Sequence, residues 1–498
     1  MDPLGLTTTA LLACVFFLIF LSLHNHGFKS GKLPPGPIPL PFIGNILQLD
    51  FKNMAASLSL LAEKYGPIFT IYLGTQRVVV LYGYNIVKEA LIDQGEAFME
   101  RGDIPIFKDF ARGQGIVFSH GERWKQIRRF SLMTLRNFGM GKRSIEERIQ
   151  EEAQCLVEEL RKMKGQPTDP TFILGCASCN VICSILFHNR FKYNDEKFLY
   201  LMNLLIENFT LLSKPWIQFY NILPAFRVYL PGQHKRVFQN IEEIKQFILE
   251  RVKDHQKVLN PNNPQDYIDC YLSKMQQEKE NPQSGFDLEN LKMTGLDLFG
   301  AGTETTSSTL RYGLLLLLKH PEVQAKIHKE IARVIGHNRV PSIKDRQDMP
   351  YTDAVVHEVQ RFINLSPLNL PHAVVQDTQF RQYVIPKVSR HRTTMTSFSC
   401  EKILSPIDMI ILIFSLMLSF ATCNYVGLNT ELRMKEKYGF ALVLLDSTLP
   451  WQYFGKIKFG ENNRDFFFRF LQGKWGQVAC SWPHSWVFNK YLRSDLNS

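Results

Sequence analysis

The spacing of hydrophobic residues predicts a mainly helical chain with one small β region. Between residues 65 and 82, short β-rich runs flank Gly74 and Thr75, a pattern typical of two strands joined by a tight turn. Most of the chain that follows, out to about residue 365, carries apolar residues at helical spacing with short breaks at Pro and Gly. Residues 143–163 alternate Glu, Arg and Lys with Leu and Ile, as a solvated surface helix does. We expect one large, mainly α domain with a small β part.

The N-terminus carries an apolar run without charge from Leu4 to Leu23. About 20 residues of helix span a hydrocarbon core of roughly 30 Å. A cleaved signal peptide is the alternative, but this run exceeds a typical signal core, and only Asp2 is charged before it. We therefore predict a transmembrane signal anchor at residues 1–23. Lys29 and Lys32 follow it, so the positive-inside bias places the body on the cytosolic side.

Residues 24–41 form a basic and Pro-rich segment. Five prolines fall in the eight residues 34–41, and such a strip is stiff and extended rather than helical. It reads as a hinge or as a plain linker, and a stiff hinge would also set how the body sits on the bilayer.

Composition narrows the class of protein. The chain has 498 residues, 58 Lys+Arg against 47 Asp+Glu, a net charge of +11 and 45% hydrophobic residues, which excludes a disordered or fibrous protein. The positive charge suits nucleic acid, an anionic membrane or an acidic partner. Nine cysteines in a chain of this length are not a disulfide framework. Cys176, Cys179 and Cys183 share one apolar helix face, so we expect buried core thiols rather than a zinc site.

A second long helix is predicted from Asn290 to Lys319, roughly 45 Å in length. Its second half is apolar nearly all round and should run through the centre of the domain. Residues 299–306 hold two glycines and three threonines, which should open the backbone ladder locally. Glu304 and Thr305 at such a break could deliver protons to a bound oxidant. A notch for close helix packing is the alternative, and the stretch alone does not decide between them.

Two further motifs place charges at helical spacing. Glu358 and Arg361 stand at i and i+3 and can pair on one helix face, although such pairs are common on surfaces. Trp124 and Arg128 share another helix face, which puts a stacking ring beside a fixed cation.

In this order, and with the Pro-rich strip, these motifs resemble the microsomal cytochromes P450 of family 2, closest to the 2C subfamily. The resemblance runs almost without gaps over residues 1–387. It implies the cytochrome P450 fold for residues 42–387, incomplete at its C-terminus. The stretches that carry it are Leu33–Pro37, Gly115–Ser119, Arg129–Arg143, Asp297–Thr306, His320–Val323 and Met349–Arg361.

The resemblance implies roles for individual residues. Thr305 with Glu304 would be the oxygen-activating pair, and Ala301 would lie against the distal face of a haem b. Glu358 and Arg361 would be a structural pair. The positions that match the haem-propionate ligands are Arg101, Trp124, Arg128 and His372, and those that match the substrate site are Ile104, Phe118 and Asp297.

The resemblance also implies partners. NADPH would supply electrons through NADPH-cytochrome P450 reductase, with cytochrome b5 as a further partner, at the endoplasmic reticulum membrane. Lys125, Arg128 and Arg129 would lie on the basic surface that meets the acidic reductase, so nucleic acid is not needed to explain the charge. The family oxidises lipophilic drugs, steroids and fatty acids.

The resemblance stops after Lys387. The family needs a loop Phe-x-x-Gly-x-Arg-x-Cys-x-Gly whose thiolate binds the haem iron. Around Cys400 and Cys423 none of the other four positions matches this pattern, and around Cys480 one does, so we predict no axial cysteine and no metal ligand in this chain. We expect residues 388–498 to be an unrelated tail. Translated intron would explain it, since Lys387-Val388-Ser389 can be encoded by a splice-donor consensus.

Two functions follow from these observations. One is a haem-thiolate monooxygenase impaired by the lack of its axial cysteine. The other is a non-catalytic, haem-poor, membrane-anchored helical protein, or a splice or gene-prediction variant. In either case Glu358 and Arg361 should form a partly buried pair that lacks its third partner, and the chain should fold poorly.

Overall fold

A computed structural model describes residues 33–387 apart from residues 52, 139–142, 165, 167, 223–231 and 337–338, together with residues 394–398. The predicted anchor at 1–23, the first part of the predicted hinge and the tail apart from 394–398 lie outside the described residues. Within the described ranges, no helix is both long enough and apolar enough to cross a membrane.

Helices make up most of the described chain, as the hydrophobic spacing predicts. They are α1 (Met54–Tyr65), α2 (Tyr84–Lys88), α3 (Pro105–Ala111), α4 (Gly121–Asn137), α5 (Arg143–Lys162), α6 (Thr171–Phe187), α7 (Glu196–Leu212), α8 (Pro215–Ile222), α9 (Gln233–Val258), α10 (Tyr267–Gln277), α11 (Leu288–Lys319), α12 (Pro321–Val334) and α13 (Pro350–Ile363). Short 3-10 turns lie at Ile46–Gln48 and Ile343–Asp348, and a π turn at Glu89–Asp93.

The strands form two small sheets. They are β1 (Ile68–Leu73), β2 (Gln76–Tyr82), β3 (Glu100–Arg101), β4 (His372–Ala373), β5 (Thr378–Phe380), β6 (Tyr383–Ile385) and β7 (Thr394–Phe398). The larger sheet has the order β1-β2-β7-β4-β3, and β5 pairs with β6. The predicted β1–β2 hairpin is confirmed, with a turn at Gly74 and Thr75. Gly74 has a φ of 62°, a conformation that suits glycine.

The main core is built where α6 crosses α11. The three predicted core thiols, Cys176, Cys179 and Cys183, are free and fully buried on α6. Burial raises the pKa of the Cys176 thiol to about 12 and also raises that of Cys183. Thiols with raised pKa values are poor metal ligands and act as small apolar side chains.

The small residues of α11 serve close packing. A Cβ on Gly302 would lie 2.4 Å from Cδ1 of Ile182 on α6, and one on Gly295 would lie 3.1 Å from Cδ1 of Ile248 on α9. The expectation that residues 299–306 open the backbone ladder is wrong, because α11 is helical without interruption from Leu288 to Lys319. Tertiary packing on α6 and α9 outweighs the poor helix propensity of these glycines and threonines.

The position of α11 in the core also differs from the prediction. Its first half is the buried half, whereas residues 311–317 are only partly buried and Leu318 is 67% exposed. The second half packs against α12 and α13, which cover one side of it. A helix that is apolar nearly all round is expected to be buried, but its sequence does not show which other elements will pack around it.

Candidate functional site

A cation and a neutral imidazole meet where β3 pairs with β4. Arg101 lies opposite His372 in this ladder, and its Nη1 is 3.0 Å from Nε2 of His372. The other ring nitrogen, Nδ1, lies 2.7 Å from the carbonyl oxygen of Phe98 and donates to it. This leaves Nε2 as the acceptor of the Arg101 hydrogen bond, so the ring is neutral. Burial, and then the charge of Arg101, lower the pKa of His372 to about 4, in agreement with a neutral ring.

The loop between α3 and α4 connects this pair to the start of α4. Arg101 Nε donates to the carbonyl oxygen of Val117 at 2.7 Å, and Trp124 Nε1 donates to that of Ile116 at 2.9 Å. The guanidinium of Arg128 lies 5.2 Å from the centre of the Trp124 ring, the cation–ring contact predicted from their spacing. Burial and the charge of Arg128 both lower the pKa of Arg101. The four predicted propionate ligands are therefore joined in one connected cluster.

Asp297 of α11 anchors the same loop from the other side. Its Oδ2 accepts hydrogen bonds from the backbone N–H groups of Ile116 at 2.7 Å and Val117 at 3.0 Å. Burial nevertheless raises the pKa of this carboxyl to about 6. The carboxyl group of Asp297 thus holds the loop that carries Phe118.

Two residues that the sequence reasoning missed complete this anchor. Asn290 is fully buried, accepts from the backbone N–H of Gly115 at 2.7 Å and donates to the carbonyl of Gly285 at 2.9 Å. Gly115 has a φ of +83°, and a Cβ there would lie 2.3 Å from Oδ2 of Asp297. The signal in the sequence was Gly115 followed by apolar residues. It does not indicate the partner, because α11 lies some 180 residues away along the chain.

The two predicted apolar substrate residues, Ile104 and Phe118, both make apolar contacts in the region of α3. Phe118 stacks on Phe107 with ring centres 3.9 Å apart and planes within 12°. Ile104, which precedes α3, and Phe107 pack against the same buried cluster around Ile106 and Ile217. Phe107, a residue that the sequence reasoning did not single out, thus stacks on Phe118 and packs against the same cluster as Ile104.

The predicted proton-delivery pair lies on α11, but its two side chains point to different partners. Thr305 Oγ1 donates to the backbone carbonyl of Ala301 at 2.6 Å, one turn earlier. Oε1 of Glu304 accepts from Ser308 Oγ at 2.9 Å. Ala301 itself is exposed although it lies in the middle of the central helix. Among the described residues, α11 is therefore exposed at Ala301, the position where the resemblance places a haem.

The Glu358–Arg361 pair forms as the spacing predicts. Nε of Arg361 lies 2.7 Å from Oε2 of Glu358, and Nη2 lies 2.5 Å from Oε1. The side chains are 54% exposed for Arg361 and 31% for Glu358, so the pair is nearer the surface than the expected partly buried pair. A pair that keeps this much solvent has a small desolvation penalty.

The donor set fits one half of a haem site. The guanidinium groups of Arg101 and Arg128 lie near the loop before α4, and their positive field suits a dianion such as a pair of propionates. The ring N–H groups of Trp124 and His372 donate to backbone carbonyls and hold this arrangement in place. A thiolate ligand for the iron needs a lowered pKa. Among the described cysteines, burial raises the pKa of Cys155, Cys176, Cys183 and Cys270. The remaining sequence candidates, Cys400, Cys423 and Cys480, lie outside the described residues.

Comparisons with known proteins agree with the resemblance. A family model described as Cytochrome P450 matches residues 34–393. The chain is 62% identical to cytochrome P450 2C44 of Mus musculus and 61% identical to cytochrome P450 2C23 of Rattus norvegicus, each over 387 residues and 78% of both chains. It is 58% identical to cytochrome P450 2C14 of Oryctolagus cuniculus over 397 residues and 80% of both chains. The chain therefore belongs to the cytochrome P450 family, within family 2 and with a 2C-like sequence.

Proposed function

We propose that this chain is by descent a haem-thiolate monooxygenase. It keeps the residues that bind the haem propionates but lacks the axial cysteine, so its oxygenase activity is impaired. The family supports the haem and the monooxygenase reaction. The observation that carries the residue assignment is the connected cluster of Arg101, His372, Trp124 and Arg128.

In this proposal the cluster binds and orients the cofactor. Arg101 and Arg128 offer charge-assisted hydrogen bonds to propionates, and Trp124 and His372 fix the loop and the strand that present them. When bound, haem would supply the activation of molecular oxygen, so that one oxygen atom goes to the substrate and the other, with two electrons that come from NADPH and two protons, leaves as water. Ala301 would lie against the haem, since it is the exposed residue of this stretch of α11 among the described residues.

Side chains of this chain would then transfer protons and bind the substrate. The Thr305 hydroxyl, held on the carbonyl of Ala301, and the Glu304 carboxyl one residue before it would pass protons along α11. Ile104 and Phe118 would line an apolar cavity for a lipophilic substrate, such as a drug, steroid or fatty acid. Asp297 would set the shape of that cavity by holding the loop that carries Phe118.

We further propose that NADPH serves indirectly, through NADPH-cytochrome P450 reductase with cytochrome b5 as an additional partner. The exposed side of α4 presents Lys125, Arg128 and Arg129, a basic surface suited to an acidic partner. The predicted anchor at 1–23 would hold the protein at the endoplasmic reticulum membrane with its body in the cytosol.

The alternative function is a non-catalytic, haem-poor, membrane-anchored helical protein, which includes a splice or gene-prediction variant. The observation that favours it is the mismatch of Cys400, Cys423 and Cys480 to the family's cysteine loop. Without a thiolate, the iron would lack the ligand that pushes electron density toward O–O cleavage.

One experiment separates these functions. The full chain in detergent is reconstituted with haemin, reduced and exposed to carbon monoxide, beside a control chain that carries the family's usual C-terminal part after Lys387. We expect a strongly red-shifted Soret band in the control and none in the full chain. A red-shifted band in the full chain would refute the impairment.

Haemin titration tests the propionate assignment separately. Arg101→Leu or Arg128→Leu should weaken haemin binding about 10- to 100-fold, the effect of one charge-assisted hydrogen bond. Arg136→Leu is a matched control, because Arg136 is an exposed arginine at the other end of α4. If the two site variants bind haemin as tightly as the control, the cluster does not hold the propionates.

A further inference from the structure

A histidine near the end of α9 contacts the aspartate that precedes α10, away from the candidate haem site. Nε2 of His255 lies 2.6 Å from Oδ2 of Asp266. The His255 side chain is 16% exposed and that of Asp266 is 1% exposed, so the contact is largely shielded from water. Residues 259–266 connect the two helices, and this contact joins the two ends of that connection.

Both ring nitrogens of His255 face oxygen atoms that only accept hydrogen bonds. Nδ1 lies 2.8 Å from the backbone carbonyl oxygen of Arg251, one turn earlier in α9. A carbonyl and an ionised carboxylate have no proton to donate, so each ring nitrogen needs its own proton to bond its partner. The ordinary pKa of an imidazole is about 6.5 and that of an aspartate about 3.9, which places the proton between His255 and Asp266 on the ring. A singly protonated ring would leave a nitrogen lone pair facing an oxygen.

The first turn of α10 fixes the position of the Asp266 side chain. Oδ1 of Asp266 accepts the N–H of Asp269 at 2.9 Å and so caps the helix. Oδ2 of Asp269 in turn accepts the N–H of Gln265 at 3.0 Å. The next residue, Tyr267, is fully buried, and its hydroxyl lies 2.6 Å from Oγ of Ser131 on α4. This turn is therefore held against the core whether or not His255 is charged.

The groups around this pair favour the doubly protonated ring. The hydrogen bond to Asp266 raises the pKa of His255 most, burial opposes it, and the carbonyl of Arg251 and the charge of Asp269 add to the increase. The charged and titratable groups nearby are Arg251 and Asp254 on α9, Asp269 and Cys270 on α10, Arg148 on α5 and His188 at the end of α6. The stabilisation from this proton is fully present below about pH 6.5 and is lost as the pH rises through the raised pKa of His255.

We propose that His255 is a positioning residue that carries two ring protons in the folded chain and, through Asp266, holds the connection 259–266 onto the first turn of α10. When the ring loses one of these protons, Nε2 presents a lone pair to the Asp266 carboxylate and the contact is lost. Because Tyr267 keeps the start of α10 on α4, the connection and the end of α9 are the parts released. This role involves neither haem nor the cluster around Arg101, so it does not depend on the proposed function.

Hydrogen exchange of the full chain in detergent tests the proposal at the amides of residues 256–266. Proteins are compared at one pH, which removes the pH dependence of the chemical exchange rate. At pH 6 we expect His255→Gln to accelerate exchange there about 10- to 100-fold over the unmodified chain, the effect of one lost charge-assisted hydrogen bond. At pH 9 the unmodified ring is neutral as well, so the two proteins should differ by less than about threefold. Exchange in α6 should be alike in both.

Two further variants separate the charge from the other roles of these side chains. Asp266→Asn keeps an oxygen that can cap α10 but removes the negative charge. In that background, His255→Gln should change exchange of residues 256–266 equally at pH 6 and pH 9. His320→Gln is the matched control, since Nδ1 of His320 lies 3.2 Å from Oε1 of Glu322 in a pair that is more than half exposed. It should leave residues 256–266 unchanged at both pH values.

Three results would overturn the proposal. One is no acceleration by His255→Gln at pH 6. Another is equal acceleration at pH 6 and pH 9 in the otherwise unmodified chain, because the ring would then act through its shape and not through its proton. If His255→Gln fails to fold, the unmodified chain decides. Its protection at residues 256–266, relative to the urea-unfolded chain at the same pH, should fall about tenfold or more from pH 6 to pH 9, and constant protection is the third overturning result.

Discussion

Replacing Asp297 with alanine should loosen the loop before α4 far more than replacing it with asparagine. A single oxygen, Oδ2, accepts the backbone N–H groups of both Ile116 and Val117. Alanine leaves both amides without this acceptor. Asparagine still presents one carbonyl oxygen, which can take the place of Oδ2 and accept both hydrogen bonds.

The magnitude follows from the two hydrogen bonds and the buried charge. A buried amide left unpaired costs about 1–3 kcal/mol, so Asp297→Ala should cost about 2–6 kcal/mol of loop stability, or roughly 30- to 20,000-fold in the opening equilibrium. Burial raises the pKa of Asp297 from 3.8 to about 6, which corresponds to about 3 kcal/mol against the charged form. Asp297→Asn removes that penalty and loses a charged acceptor, so its net effect should be small.

Hydrogen exchange in the peptide of residues 113–120 measures this directly. We expect exchange there to accelerate strongly in Asp297→Ala and little in Asp297→Asn, with α6 protected in both proteins. Equal acceleration in the two variants would refute the reasoning, because it would mean that the acceptor geometry at Oδ2 does not hold the loop.

The raised pKa also predicts a pH dependence with a definite sign. The folded chain binds the Asp297 proton more tightly than the unfolded chain does. The stabilisation that comes from this proton is fully present below about pH 4 and is lost as the pH rises through about 6. In unmodified protein the loop should therefore open more easily at pH 7 than at pH 5. The Asp297→Asn variant should lack this part of the change.

Three further outcomes are expected. Gly302→Ala should destabilise the fold by about 1–3 kcal/mol, since its Cβ would meet Cδ1 of Ile182 at 2.4 Å, and the thermal midpoint should recover in part when Ile182→Val removes that atom. The lowered pKa of His372 should make stability fall by up to about 3 kcal/mol as pH drops from about 6.5 to 4, and His372→Gln should flatten that slope in acid denaturation. Arg361→Ala should shift the unfolding free energy by less than about 1 kcal/mol, because the Glu358–Arg361 pair is largely solvated, and a larger loss in urea titration would contradict the surface placement.

Periodicity and spacing predicted the features that depend on near neighbours. The β1–β2 hairpin, the buried thiols of α6, the Trp124–Arg128 contact and the Glu358–Arg361 pair are all present in the structure. Each of them arises within one element or one turn, so the local sequence contains both partners.

Features that join distant segments were not predictable in the same way. Nothing near Asn290 in the sequence indicates that its partner is the N–H of Gly115. Propensity wrongly predicted a break in α11, because the close approach of Ile182 to Gly302 decides the helix there. The place of β7 between β2 and β4 was missed because its neighbour β2, at residues 76–82, lies far from it along the chain.

The burial of the α6 thiols has a practical consequence for handling this chain. Cys176 and Cys183 are at most 1% exposed, and their raised pKa values keep them protonated at neutral pH. A reagent that modifies thiolates will therefore spare them in every molecule whose core is intact and modify them in every molecule whose core has opened. Mass spectrometry of the α6 peptide after brief alkylation thus counts the fraction of correctly packed molecules in a preparation, with no cofactor or substrate required.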